Sequence, residues 1–247
     1  MFSLNHFIWL FIVAVLIGTM IIVNKKYKLS FNANLNILLG VMIISEVVKI
    51  LSNMDLEVTT KSGITGVYLD PGSLPFHLCS MQIFFAFALK FFVKSEKAKN
   101  ILLCFMAPTM LVGATMSLLI PTVGVEFTVP QVYQYFLFHG YIIYFAIYLI
   151  TDKIIILDFK AYLHTMSLLL VCVVIALWIN SVLNIYAVNF FYLSRPPMEN
   201  LPILNLDHGW PVYFASLVFI AILLMTLFHL PFILKNRKRK CVNNLHN

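Results

Sequence analysis

Seven apolar runs divide the chain, at roughly 2–23, 34–54, 76–93, 101–120, 131–151, 161–183 and 211–234. Each approaches the length of about 20 residues that crosses the hydrocarbon of a bilayer as a helix. Lipid offers no partner for backbone N–H and C=O groups, so runs of this kind fold as helices. Composition agrees: 61% of residues are hydrophobic and 11% charged, with a mean hydropathy of +0.92, where a soluble domain carries about 25% charge. The expectation is an all-α, polytopic membrane protein, one seven-helix domain over residues 1–247 with a basic tail at 235–247. A soluble domain, an internal repeat and a cleavable signal are all without support. The first run has no positive leader and no small-residue cleavage site.

Charge sets the orientation. Of the 17 Lys and Arg residues, fourteen fall in the first, third and fifth connections, at the adjoining helix end, or in the tail, and only Lys61 and Arg195 fall in the opposite connections. Lys49 lies inside the second run. Basic residues collect on the cytoplasmic side, so the N-terminus is expected outside and the C-terminus inside. The net charge of +7 is therefore a mark of membrane topology and gives no reason to expect a nucleic-acid partner. The four cysteines lack metal-ligand spacing, and neither a metal nor a cofactor is expected. Cys104 and Cys172 lie within apolar runs, as small packing residues do.

With that orientation the costly polar residues gather at one level. Glu46, Lys49 and Asn53 share a face in the outer half of the second run. His77, Cys79 and Gln82 open the third, Tyr135 and His139 follow Pro130 in the fifth, and Asn180 and Asn184 close the sixth. The inner halves hold little that is polar beyond Ser and Thr. Polar groups at membrane depth face protein or a water-filled cavity, and this clustering predicts a polar chamber open to the outer leaflet.

Cys79 is the candidate nucleophile, because a thiol near a helix N-terminus or a histidine is activated as thiolate. His139 is the candidate base and His77 its rival. At 1.5 Å per residue Cys79 lies about 5 Å below its helix start and His139 about 12 Å below its own. Glu46 and Lys49 either neutralise each other, or Glu46 orients an imidazole and Lys49 holds a phosphate. Arg195 is either a solvated loop charge or a fork for a lipid phosphate. Gln82, Asn180 or Asn184 could donate to an oxyanion.

These residues fall in segments that resemble the YwaF/transmembrane-protein-164 family. The segments are Leu74-Pro75-Phe76-His77-Leu78-Cys79, Phe136-Leu137-Phe138-His139-Gly140, Asn189-Phe190-Phe191-Tyr192-Leu193-Ser194-Arg195-Pro196-Pro197 and Gly209-Trp210-Pro211-Val212-Tyr213. Phe190 and Pro196 depart from the family's Asn-Tyr and Lys-Pro. The resemblance implies seven spans and, for the animal branch, acyl transfer between phospholipids by the cysteine at Cys79 with the histidine at His139. Composition rich in Lys, Asn and Ile points to the bacterial branch. Membrane phospholipids would be the donors, a lysolipid or lipoprotein the acceptor, and Asn189, Arg195, Lys49 and Tyr135 the substrate contacts. The competing expectation is a transporter or lipid-binding protein that uses the same chamber without chemistry; no matched pair of Gly/Pro-broken helices favours it.

Overall fold

A computed structural model describes residues 2–59, 65–198, 201 and 203–245; Lys61 of the charge count lies outside them. Among the described residues, seven α-helices carry the fold: α1 Leu4–Tyr27, α2 Phe31–Ser52, α3 Leu78–Phe91, α4 Glu96–Leu119, α5 Pro130–Thr151, α6 Phe159–Val182 and α7 Trp210–Leu245. Six of them are long and apolar enough to cross a membrane, and α3 is the shorter one. Two strands, β1 Met54–Thr59 and β2 Thr65–Leu69, pair antiparallel between α2 and α3. This hairpin is the departure from an all-α fold. Residues 235–245, within the expected basic tail, are helical and continue α7.

Side-chain contacts fix which helix ends lie together. His6 of α1 bonds the Leu118 carbonyl near the end of α4. Lys49 near the end of α2 reaches Ser80 at the start of α3, and Gln131 at the start of α5 donates to Asn53. These make one pole, the hairpin pole. At the other, basic pole Asn24 of α1 meets Asn34 of α2 and Asp152 after α5, and Asn236 of α7 donates to Leu157. Successive helices therefore run up and down between the poles.

The bundle is held by close approach and by large buried rings. Trp9 stacks between Phe127 and Phe136, with ring centroids 4.9 and 5.0 Å away, and donates its indole N–H to the Val125 carbonyl. A Cβ on Gly140 would sit 3.0 Å from Val13 and 3.2 Å from Leu16, so glycine is what lets α1 lie on α5. In α4, Pro108 has no N–H for the Cys104 carbonyl four residues back. The Thr165 hydroxyl of α6 reaches that carbonyl instead, at 3.0 Å, sharing its one proton with the Ala161 carbonyl of its own helix, also at 3.0 Å.

The third run, expected over 76–93, forms a helix of only 14 residues, about 21 Å long against about 36 Å for the 24-residue α4. Pro75 disfavours helix at Leu74 and pushes its backbone to the extended region. The chain instead makes a 3-10 turn at Pro71–Ser73 and a tight turn around Pro75, closed by the Phe76 N–H on the Leu74 carbonyl at 2.8 Å, and His77 caps α3 with its backbone alone. Helix α3 thus begins below the hairpin pole, and the segment above it is free to line a cavity, the one place where irregular backbone is tolerated at membrane depth.

Candidate functional site

A chamber of about 550 Å³ opens among α2, α3, α4, α5, α6 and α7 under the connection that joins α6 to α7. Its walls include Lys49, His77, Cys79, Ser80, Tyr135, His139 and Tyr192. Leu169 and Val173 of α6, with Leu217, Ala221 and Met225 of α7, form an apolar wall. The space is therefore amphipathic.

Cys79 is buried. The position where Gly113 of α4 would carry a Cβ is 3.5 Å from its sulfur, and the Ser117 hydroxyl is its polar partner. Because α3 starts low, Cys79, only its second residue, already lies level with Gly113, six residues before the end of α4. His139 is buried on α5 with Nδ1 2.7 Å from the Tyr135 carbonyl. A carbonyl can only accept, so Nδ1 carries the proton and the neutral ring has its lone pair on Nε2. The Tyr135 ring lies 4.4 Å from the imidazole, and its hydroxyl donates to the Ser117 carbonyl at 2.8 Å. His77, the rival base, packs its ring 5.2 Å from Phe190 and 5.3 Å from Tyr192.

Lys49 pairs with Glu46 at 2.6 Å and donates to Ser80 at 3.2 Å. An ammonium has three donors, so one is left for the chamber that Lys49 lines. Both members of the pair are largely shielded, with side-chain exposures of 17% and 11%. Among the described residues the partner of Glu46 is Lys49 and not an imidazole.

Several expected site residues turn away from the chamber. Gln82 shares a helix face with Cys79, yet it is fully buried against α4 and donates to Thr109 at 3.0 Å. Asn180 clasps the Phe190 backbone, accepting from its N–H at 2.9 Å and donating to its carbonyl at 3.0 Å. Asn184 is exposed, and its carbonyl closes the turn at Ala187. Asn189 accepts from the backbone of Ser194 and donates to the Arg195 carbonyl. Arg195 bends back to the Ala187 carbonyl at 2.9 Å and lines no part of the chamber. These groups hold a strap, residues 183–198, across the chamber mouth. Trp210 donates to the Leu193 carbonyl and Tyr213 to the Tyr192 carbonyl, tying the strap to α7.

The strap carries three left-handed residues, Ala187, Phe191 and Tyr192, with φ of 51, 57 and 55°. Each costs roughly 1–3 kcal/mol and persists only where surrounding bonds over-determine it. The two consecutive ones turn the Tyr192 side chain into the chamber, where Cys79 is an electrostatic neighbour of both Tyr192 and Tyr135. Tyr192 and Ser117 are site residues that sequence reasoning misses, because neither belongs to a run of periodic polar positions. The one signal for Tyr192 is the density of aromatic and Asn residues in a connection too long for a simple turn.

The model of the TMEM164 family matches residues 1–229, the whole of this architecture down to the last turns of α7. The chain belongs to the TMEM164 family. Among curated proteins and among solved structures, none matches it. The family match and the apolar helices together make this member of the TMEM164 family a multi-pass membrane protein.

Proposed function

We propose that the chain is a membrane-embedded cysteine acyltransferase, taking an acyl group from a phospholipid ester and passing it to an acceptor lipid or lipoprotein. The observation that carries the reading is a thiol and an imidazole with a free Nε2 lone pair lining one amphipathic chamber. His139 Nε2 removes the thiol proton, and Cys79 Sγ attacks the ester carbonyl carbon. The carbonyl π pair moves onto oxygen. When it returns, the bond from carbon to the glycerol oxygen breaks, and the imidazolium gives its proton to the departing alkoxide. A thioester remains on Cys79. An acceptor O–H or N–H then loses its proton to His139, attacks the thioester, and releases the thiolate, which recovers the proton. The free donor of Lys49 holds the head-group phosphate, and the α6–α7 wall holds the acyl chain.

In the same reading α3 crosses together with the segment above it, giving seven spans. The basic pole faces the cytoplasm, and the chamber of this cell-membrane protein opens to the outer leaflet. Single cysteines introduced at residues 63 and 97 should then label from opposite sides; labelling from one side overturns the orientation.

The chemical test uses purified protein in vesicles of phosphatidylethanolamine and phosphatidylglycerol, read by intact mass. An acyl adduct is expected on the wild type and none on Cys79→Ala, with His139→Ala losing it at unchanged expression. Acyl transfer retained in Cys79→Ala sinks the covalent mechanism and leaves the chamber to binding or transport.

A further inference from the structure

An acyl-transfer chamber needs a donor aimed at the oxygen that becomes negative during attack. The amides expected there are engaged elsewhere: Gln82 donates to Thr109 and Asn180 to the Phe190 carbonyl. The Tyr135 hydroxyl is committed to the Ser117 carbonyl. Tyr192 differs. It lines the chamber, neighbours the Cys79 thiol, and lies beside Thr122, from which a phenol oxygen can accept while still donating its own proton.

We propose that Tyr192 is the oxyanion donor: its phenol O–H hydrogen-bonds the ester carbonyl oxygen as Cys79 Sγ attacks the carbon. This rests on the acyl-transfer reading and adds to it a residue and a role. The phenol keeps its proton throughout; it stabilises the charge that the π pair brings to oxygen and releases it when the C=O bond re-forms. Burial pushes the Tyr192 phenol up from its ordinary range, so the donor form persists at neutral pH. The construction of the strap supports the assignment. Two consecutive left-handed residues, Phe191 and Tyr192, are held there by Asn180, Trp210 and Tyr213, and the outcome of that effort is the direction of one phenol. Backbone outliers of this kind cluster at functional positions.

The experiment compares two reactions of the same sulfur in wild type and Tyr192→Phe. Acylation by p-nitrophenyl butyrate passes through an oxyanion; alkylation by iodoacetamide does not. Tyr192→Phe should slow acylation of Cys79 by about a hundredfold or more and leave the alkylation rate within about twofold of wild type. Tyr186→Phe, on the same strap but exposed, should change neither. Equal acylation in wild type and Tyr192→Phe overturns the assignment of Tyr192 alone. Loss of both reactions in Tyr192→Phe also overturns it, because the ring would then only be shaping the chamber. A wild type that alkylates at Cys79 but never acylates overturns the acyl-transfer reading itself.

Discussion

The two poles of the bundle treat buried polar groups in opposite ways. At the basic pole they satisfy one another. The Asn34 amide donates to Asn24 at 3.0 Å and to the Ser30 carbonyl at 3.2 Å, and its oxygen accepts from Tyr144 at 2.9 Å. Asn24 in turn donates to Asp152 at 3.4 Å. At the hairpin pole Lys49, His77, Cys79 and His139 border a void. The first arrangement is a closed network, worth its desolvation because every member is matched. The second leaves capacity for a ligand. Burial alone does not separate them, since Asn34 and His139 are both buried; the identity of the partner does.

Mutations at the two poles should break along this line. The largest contrast is Cys79→Ala, which should abolish acyl-adduct formation while costing about 1 kcal/mol or less in stability, because the sulfur borders a void; intact mass and thermal melting in detergent measure the two. Lys49→Met comes next. It leaves Glu46 shielded and unpaired, a loss of roughly 3–5 kcal/mol, and the double variant with Glu46→Gln should recover most of it. A single variant as stable as wild type would mean that the pair is solvated.

Asn34→Ala should cost about 1–3 kcal/mol for each group it strands, with the rate of adduct formation per folded molecule unchanged. A fall in that rate would show the poles to be coupled. The smallest effect belongs to Thr165→Val, which strips the Cys104 carbonyl of its donor. A drop of about 1 kcal/mol is expected, and no change would mean that water replaces the hydroxyl.

Much of this is legible in the sequence. Six of the seven expected runs are long apolar helices, as run length implies, and the polar residues placed at one level of the bundle include several that border the chamber. Cys79 and His139 are among them, and both sit near the start of a run. What fails does so for physical reasons. Gln82 has the azimuth expected of a residue three after Cys79, but a helical wheel gives direction and not the identity of the neighbour. Here that neighbour is Thr109, beside the break at Pro108. Asn180 is a costly buried amide, as its position in the run implies, yet it bonds a connection whose left-handed turns have no periodic signature. The inner halves look nearly apolar in the sequence because Asn24 and Asn34 sit at run ends, where a residue passes for loop. The low start of α3 depends on Leu74-Pro75, a local rule whose effect on depth appears only when the helix is measured against α4.

Pro108 has a consequence for how the chain is made. A ribosome delivers α4 to the membrane before α6, so the Cys104 carbonyl must wait, without its donor, for Thr165 to arrive. Until then α4 is a helix with an unsatisfied break at membrane depth, and it is best kept beside the translocon or in the company of water. The proline thus sets an order of events: the wall that carries Gly113 against Cys79 is completed only when the sixth helix docks. A chain released after residue 158 should hold α4 loosely, with amides near Cys104 exchanging hydrogen far faster than in the full protein. The chamber, lined also by Leu217, Ala221 and Met225 of α7, is complete only after the seventh helix has followed.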